Sequence, residues 1–278
     1  MDVLEEVVRL RRAGRKCALA TIIHANGSIP SYTSAKLLVR DDGSIVGTIG
    51  GGCVEAEVWE AARQCMETGK TRRFTFSLGQ DAAYDNGLIC GGQLEVFIEP
   101  VEPQPRAIIF GAGHISKSLC QVAGMIGFQT TIVDNRESFA NRERFPDAGE
   151  IFASEYEDAF PKLEVNHCSY LIIVTRGHRD DMRVLRWAVS TNACYIGMIG
   201  SRRKALAVYK ELEKEGIDRT AFERVSSPMG LDIAALSPEE IAVSVAAEMI
   251  AIRRRAESNW RSVTKSVFSA AEVQAVPL

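Results

Sequence analysis

Residues 107–116 constrain this chain more than any other segment. Ala107-Ile108-Ile109-Phe110 is an apolar run of strand type, Gly111-Ala112-Gly113 follows it at once, and His114-Ile115-Ser116 opens a helical pattern. A buried strand, a glycine turn and a helix in that order begin a dinucleotide-binding βαβ unit. Gly111 permits the tight turn, and Gly113 lets a pyrophosphate approach the backbone at the positive end of the helix, beside His114. The third fingerprint position holds Ser116 rather than glycine or alanine. Asp134 closes the next apolar run, 23 residues beyond Gly111, where such folds bind a ribose 2′-hydroxyl. Arg136 follows closely and keeps a 2′-phosphate open. The nucleotide this implies is NAD or NADP, although a domain can keep the fold without the cofactor.

Strand and helix patterns then alternate to residue 255. Apolar runs at 107–110, 129–134, 150–153, 170–175 and 194–200 are expected to form a parallel sheet covered on both faces. The last helix is announced by Ser237-Pro238-Glu239-Glu240, a capping box with proline at its first position, and Arg253-Arg254-Arg255 complement its far end. Two more loops fall at carboxyl ends of strands, where ligands collect. One is Thr175-Arg176-Gly177-His178-Arg179-Asp180 and the other Gly200-Ser201-Arg202-Arg203-Lys204. Three cations at a helix start oppose its dipole by roughly 0.3–1 kcal/mol each. Either an anion sits in the loop Ser201–Lys204, among Arg202, Arg203 and Lys204, or the cluster is a solvated surface. His178 is a proton donor or orienting ligand, or else a loop histidine held by Asp180 or Asp181.

A chain of 278 residues suggests two domains. Residues 1–101 read as a mixed α+β domain. Helices are expected at 2–13 and 53–68, and strands at 17–25, 35–40, 45–49, 72–78 and 93–101. Glu102-Pro103-Gln104-Pro105 is a stiff linker. Residues 106–255 form the Rossmann-like domain and 256–278 a weakly patterned tail. The fold class is therefore α/β.

Gly50-Gly51-Gly52-Cys53 places a thiol at a helix start behind three glycines, and Cys90-Gly91-Gly92 repeats the combination beside a strand. A helix N-terminus favours thiolate, and glycine N–H groups can cradle a phosphate. The alternative for both is a small residue packed beside a tight turn. Cys17, Cys65, Cys120, Cys168 and Cys194 lie in apolar runs and are expected in the core. Seven scattered cysteines without a C-x-x-C pair fit reduced thiols rather than disulfides or a zinc site. The net charge of −3 gives no reason to expect nucleic acid, no apolar run is long enough for a membrane span, and the acidic start is unlike a secretory signal. The expected location is the cytoplasm.

Taken in order, Gly47-Thr48-Ile49-Gly50-Gly51-Gly52-Cys53-Val54-Glu55, Ile89-Cys90-Gly91-Gly92, Gly111-Ala112-Gly113-His114, Val174-Thr175-Arg176-Gly177-His178, Ile199-Gly200-Ser201-Arg202-Arg203-Lys204 and Ser227-Pro228-Met229-Gly230-Leu231-Asp232 resemble the XdhC/CoxI family. These are accessory factors of xanthine dehydrogenase and related molybdenum hydroxylases. The resemblance spans about residues 1–255 and also takes in Gly27-Ser28-Ile29-Pro30 and Ala35-Lys36-Leu37-Leu38-Val39. It implies a non-enzymatic chaperone for molybdenum cofactor (molybdopterin) that supports its sulfuration by a cysteine desulfurase and its insertion into an apo hydroxylase. Cys53 is then the candidate ligand to the molybdenum, with a homodimer as an open assembly. The family pattern has a basic residue and a glycine where this chain has Ser31 and Ser34. Two other readings stay open: an NAD(P)-dependent oxidoreductase using His178, and a sulfur carrier through a Cys53 persulfide.

Overall fold

The computed structural model describes residues 2–26, 33–77 and 93–254, and the chain divides into two compact units, Met1–Gln104 and Pro105–Leu278. In the first unit, helix α1 (Val3–Arg12) precedes β1 (Cys17–Asn26), β2 (Lys36–Arg40), β3 (Ile45–Gly47), α2 (Gly52–Thr68), β4 (Arg72–Ser77) and β5 (Gln93–Val101). The strands form an antiparallel sheet in the order β3-β2-β1-β5-β4. On central strand β1, Ala18, Ala20 and Ile22 join the core that contains Val54, Val58, Ala62 and Cys65 of α2. Cys17 and Leu19 point the other way and pack with Leu10 of α1. Both faces are covered, so the strand reads as a continuous apolar run instead of an alternating one.

The turn into β2 holds Ser34 at φ 77, with its N–H donating to the Ile22 carbonyl. Left-handed backbone costs a residue with a Cβ about 1–2 kcal/mol, so glycine would fit this position at lower cost than serine does. Ser34→Gly is expected to stabilise the first unit by roughly 0.5–1 kcal/mol, once the extra freedom of glycine in the unfolded chain is set against the relieved strain. A rise in the urea midpoint at constant slope would show it; an unchanged midpoint would mean that the serine is accommodated without cost. Ser31 lies outside the described residues.

The second unit runs β6 (Arg106–Phe110), α3 (His114–Met125), β7 (Gln129–Val133), β8 (Glu150–Phe152), α4 (Tyr156–Ala159), β9 (Ser169–Ile173), α5 (His178–Ala188), β10 (Tyr195–Met198), α6 (Arg202–Lys214), β11 (Val225–Ser226) and α7 (Pro238–Arg253). All neighbouring strands are parallel, in the order β11-β10-β9-β6-β7-β8. The fold class is therefore α/β, as expected. Ala107 and Ile109 of β6 face the core shared with α3 and α7, whereas Ile108 and Phe110 face the core shared with α5 and α6. Phe110 meets Tyr156, Phe160 and Trp187 edge-on, at centroid distances of 6.2, 6.1 and 5.6 Å. The expected capping box forms at Ser237 and Glu240. Arg253, at the basic end of α7, donates from Nη1 to the Ile126 carbonyl at 2.8 Å, so it also closes the end of α3.

Candidate functional site

In the second unit the chain moves from β6 outward to β7 and β8, then returns to the other side of β6 for β9, β10 and β11. The strand order thus reverses between β6 and β9, and the loops that leave their carboxyl ends flank a crevice of the kind that binds ligands in open α/β sheets. Gly111 has φ 106, and a Cβ there would lie 2.4 Å from the Val174 carbonyl oxygen. Backbone conformation and the β9 loop both demand glycine at this position. Gly113 differs. Its φ of −78 is open to any residue, and a Cβ placed there would have no atom within 4 Å. It caps α3 without a side-chain acceptor, and His114, the first residue of the helix, is exposed. Ser116 is fully buried, with its Oγ lacking a hydrogen-bond partner among the described residues.

Asp134 stands at the end of β7 beside the glycine loop and is buried. One carboxylate oxygen accepts from the Ala112 N–H at 2.7 Å and from Arg136 Nη2 at 2.7 Å. The other accepts from the Arg136 N–H at 2.9 Å and Nε at 2.8 Å. Burial opposes ionisation here, but the bonds from Arg136 and Ala112 outweigh it and hold the carboxyl below its ordinary range. The acid expected to meet a ribose instead fastens the glycine loop to the strand end, and its four acceptor positions are filled. Arg136 also lies 4.0 Å from the centre of the Phe139 ring, and Arg144 lies 4.9 Å from it.

The loops after β9 and β10 open on the same edge of the sheet. Arg176, Gly177, His178, Ser201, Arg202 and Arg203 are all exposed there. β10 is separated from β6 by β9, so the Ser201 loop stands two strand spacings from Gly111, about 10 Å. Lys204 does not join an external anion site. Its Nζ lies 2.5 Å from Oδ2 of buried Asp181, whose Oδ1 accepts from Thr175 Oγ1 at 2.6 Å. One of the three cations at this helix start is therefore compensated from within by a carboxylate on α5. Burial raises the Asp181 carboxyl above its ordinary value, against the pull of Lys204 and Thr175. Ser201 caps α6 by accepting from the Lys204 N–H at 3.3 Å. His178 is not held by either expected carboxylate, because Asp181 is engaged as described and Asp180 accepts from Arg183.

In the first unit, Gly50, Gly51 and Gly52 have φ values of 121, 75 and 66, so three consecutive positions need glycine. Nothing approaches within 4 Å of a Cβ at Gly51 or Gly52, and Cys53 is exposed in the first turn of α2. Glu55 turns back over this loop. Its Oε2 accepts from Thr48 Oγ1 at 2.8 Å, the Gly51 N–H at 3.2 Å and the Ile49 N–H at 3.5 Å. Cys90, Gly91 and Gly92 lie outside the described residues. Cys17, Cys65 and Cys120 are buried, as expected, but Cys168 is half-buried and Cys194 exposed. Both belong to the turns that deliver β9 and β10, where the residue reaches solvent although burial still raises the Cys194 thiol.

The sequence pattern set Asp181 beside His178 and not beside Lys204, and it missed Arg144 and Glu55 as parts of these sites. Glu55 had a visible signal, an acid one helical turn into a segment that begins with glycines. Arg144 had none.

The class these units define is an α+β unit followed along the chain by a Rossmann-type parallel-sheet unit. Residues 107–249 match the XdhC Rossmann domain and residues 10–77 match the XdhC and CoxI family, and this chain belongs to that family. An uncharacterised Escherichia coli protein, YqeB, is 33% identical over 92% of the chain, which spans only 47% of that relative's length. A Bacillus subtilis protein described as a probable xanthine dehydrogenase subunit is 25% identical over 86% of this chain and 94% of its own. The molybdenum cofactor insertion chaperone PaoD of Escherichia coli is 22% identical over 92% and 90%. A solved Bacillus halodurans structure, described as a xanthine dehydrogenase, shares the fold at TM-score 0.52 and 23% identity, covering 93% of this chain and 97% of its own. No helix among the described residues is long and apolar enough to cross a membrane.

Proposed function

We propose that the chain carries molybdenum cofactor and supports its sulfuration and its insertion into an apo molybdenum hydroxylase, with a cysteine desulfurase as the sulfur donor. The observation that supports this most is the exposed Cys53 thiol one residue past open space over Gly51 and Gly52. The cofactor is a phosphate-bearing pterin that holds its metal through a dithiolene. It needs anion-binding backbone and, on the metal, a soft ligand. The Gly50, Gly51 and Gly52 backbone offers the first once Thr48 and Glu55 release the Gly50 and Gly51 N–H groups, and Cys53 offers the second. Among the described residues no three His, Cys, Asp or Glu side chains gather as a metal site, so a metal at Cys53 would arrive with its own ligands. The names of the Bacillus subtilis and Escherichia coli relatives agree with this role.

The test is Cys53→Ser, which keeps size but replaces a soft ligand with a hard, protonated one. Isolated from a host that makes the cofactor, the variant should fold normally and carry about tenfold less molybdenum, equivalent to ~1.4 kcal/mol. Cys65→Ser, in the buried face of α2, should lower stability instead. Wild-type molybdenum content in Cys53→Ser would leave the thiol without a role in holding the metal. Mass spectrometry after incubation with a desulfurase and cysteine distinguishes a Cys53 persulfide from metal ligation.

A further inference from the structure

The crevice at the end of β6 and β7 has a donor and acceptor balance that selects among nucleotides. A ribose diol needs an acceptor for its 2′-hydroxyl, and the residue in position to supply one is Asp134. All four of its acceptor positions are already taken by Ala112 and Arg136. Donors, by contrast, are in excess. Arg136 uses Nε and Nη2 on Asp134, which leaves Nη1 unengaged among the described residues. Arg144 reaches the glycine loop through Nη2, 3.5 Å from the Ala112 carbonyl, while its Nε is buried with no partner among the described residues. Both guanidinium groups lie over the Phe139 ring, which holds them side by side. Asp134 neutralises one of the two positive charges, so the pair retains a net charge of about +1 for an anion.

A second observation points independently to a ligand at the same place. Gly113 has an ordinary backbone conformation and nothing within 4 Å of a Cβ. A serine, threonine, aspartate or asparagine at this cap would hold α3 better than glycine does. Neither conformation nor packing within the protein accounts for the glycine, but the close approach of a pyrophosphate does.

We infer that this crevice binds an adenine dinucleotide carrying a 2′-phosphate, of the NADP class, with Arg136 and Arg144 receiving that phosphate and the backbone beside Gly113 the pyrophosphate. A phosphate monoester only accepts hydrogen bonds at neutral pH and matches the surplus donors, whereas an unphosphorylated ribose meets a closed acid. Arg136 is therefore both the phosphate contact and the lock on Asp134.

Titration calorimetry of the full chain with NADP⁺, NAD⁺ and 2′,5′-ADP tests this. NADP⁺ and 2′,5′-ADP should bind at least about tenfold more tightly than NAD⁺, the size expected of one charge-assisted contact. Arg144→Gln should weaken NADP⁺ by about tenfold and leave NAD⁺ unchanged. Arg136→Ala should weaken NADP⁺ and, by opening Asp134, strengthen NAD⁺, a reversal that simple loss of structure cannot produce. Gly113→Ser should abolish binding of the two dinucleotides without lowering the melting temperature, which separates the site from folding. Equal affinity for NAD⁺ and NADP⁺, or no binding of either, would overturn the inference. The result is independent of whether the first unit carries molybdenum.

Discussion

Gly111→Ala is expected to cost the Rossmann unit about 3 kcal/mol, far more than a glycine-to-alanine change in an ordinary loop. Two effects add. The left-handed backbone at φ 106 disfavours any Cβ by about 1–2 kcal/mol. The new Cβ also meets the Val174 carbonyl oxygen at 2.4 Å and the Val174 carbonyl carbon at 2.8 Å. These are backbone atoms of the loop leaving the central strand β9, so they cannot swing aside as a flexible side chain would. The glycine loop must lift, which loosens the Ala112 N–H from Asp134. Peptide-resolved hydrogen exchange should show faster opening at the ends of β6, β7 and β9, with the first unit unaffected. Unchanged exchange at these three ends would show that the crevice tolerates a wider loop than the geometry allows. Gly113→Ser, only two residues away, should show none of this.

Lys204→Met is expected to destabilise the same unit by about 2–3 kcal/mol near neutral pH. Removing one member of a buried pair typically costs 3–5 kcal/mol, and the lower figure allows for the part of Lys204 that reaches solvent. What remains is a carboxylate with no exposed side-chain surface and only Thr175 to hold it. The pH dependence follows from the direction in which the Asp181 carboxyl moves. Burial raises it above its unfolded value, and loss of Lys204 raises it further. Folding then favours the protonated acid. That contribution is fully present below the unfolded value and is lost as the pH rises through the folded one. The deficit of Lys204→Met should therefore shrink as the pH is lowered toward ~4. Adding Asp181→Asn should recover much of the loss at neutral pH. A deficit that is constant with pH, or unrelieved in the double variant, would assign Lys204 a packing role alone.

These two residues also show what the sequence made legible. Gly111 was visible because strand, turn and helix are consecutive, so every element of the signal lies within ten residues. The same locality made the α7 capping box and the buried face of α2 readable. Lys204 was visible only as a member of a basic loop. Its partner Asp181 lies on another helix, and no periodicity links the two positions. Charge alone could not say whether the compensating anion was a ligand or a side chain. Asp134 poses the same problem in a sharper form. Its position at the strand end was legible, but its engagement by Arg136 and Ala112 depends on side-chain direction. Strand β11 escaped notice because two residues carry no pattern, and the exposure of Cys194 because turns at strand entries borrow the hydrophobicity of the strands.

The carboxylate of Glu55 gives the Gly50–Gly52 loop a tethered competitor. Any oxyanion that comes to the amides of Ile49 and Gly51 must first displace a group already bonded to them. A side chain fixed one helical turn away acts like an anion at roughly millimolar effective concentration. Stray phosphate in dilute solution competes poorly with such a group, and only an anion that grips through several points at once would displace it.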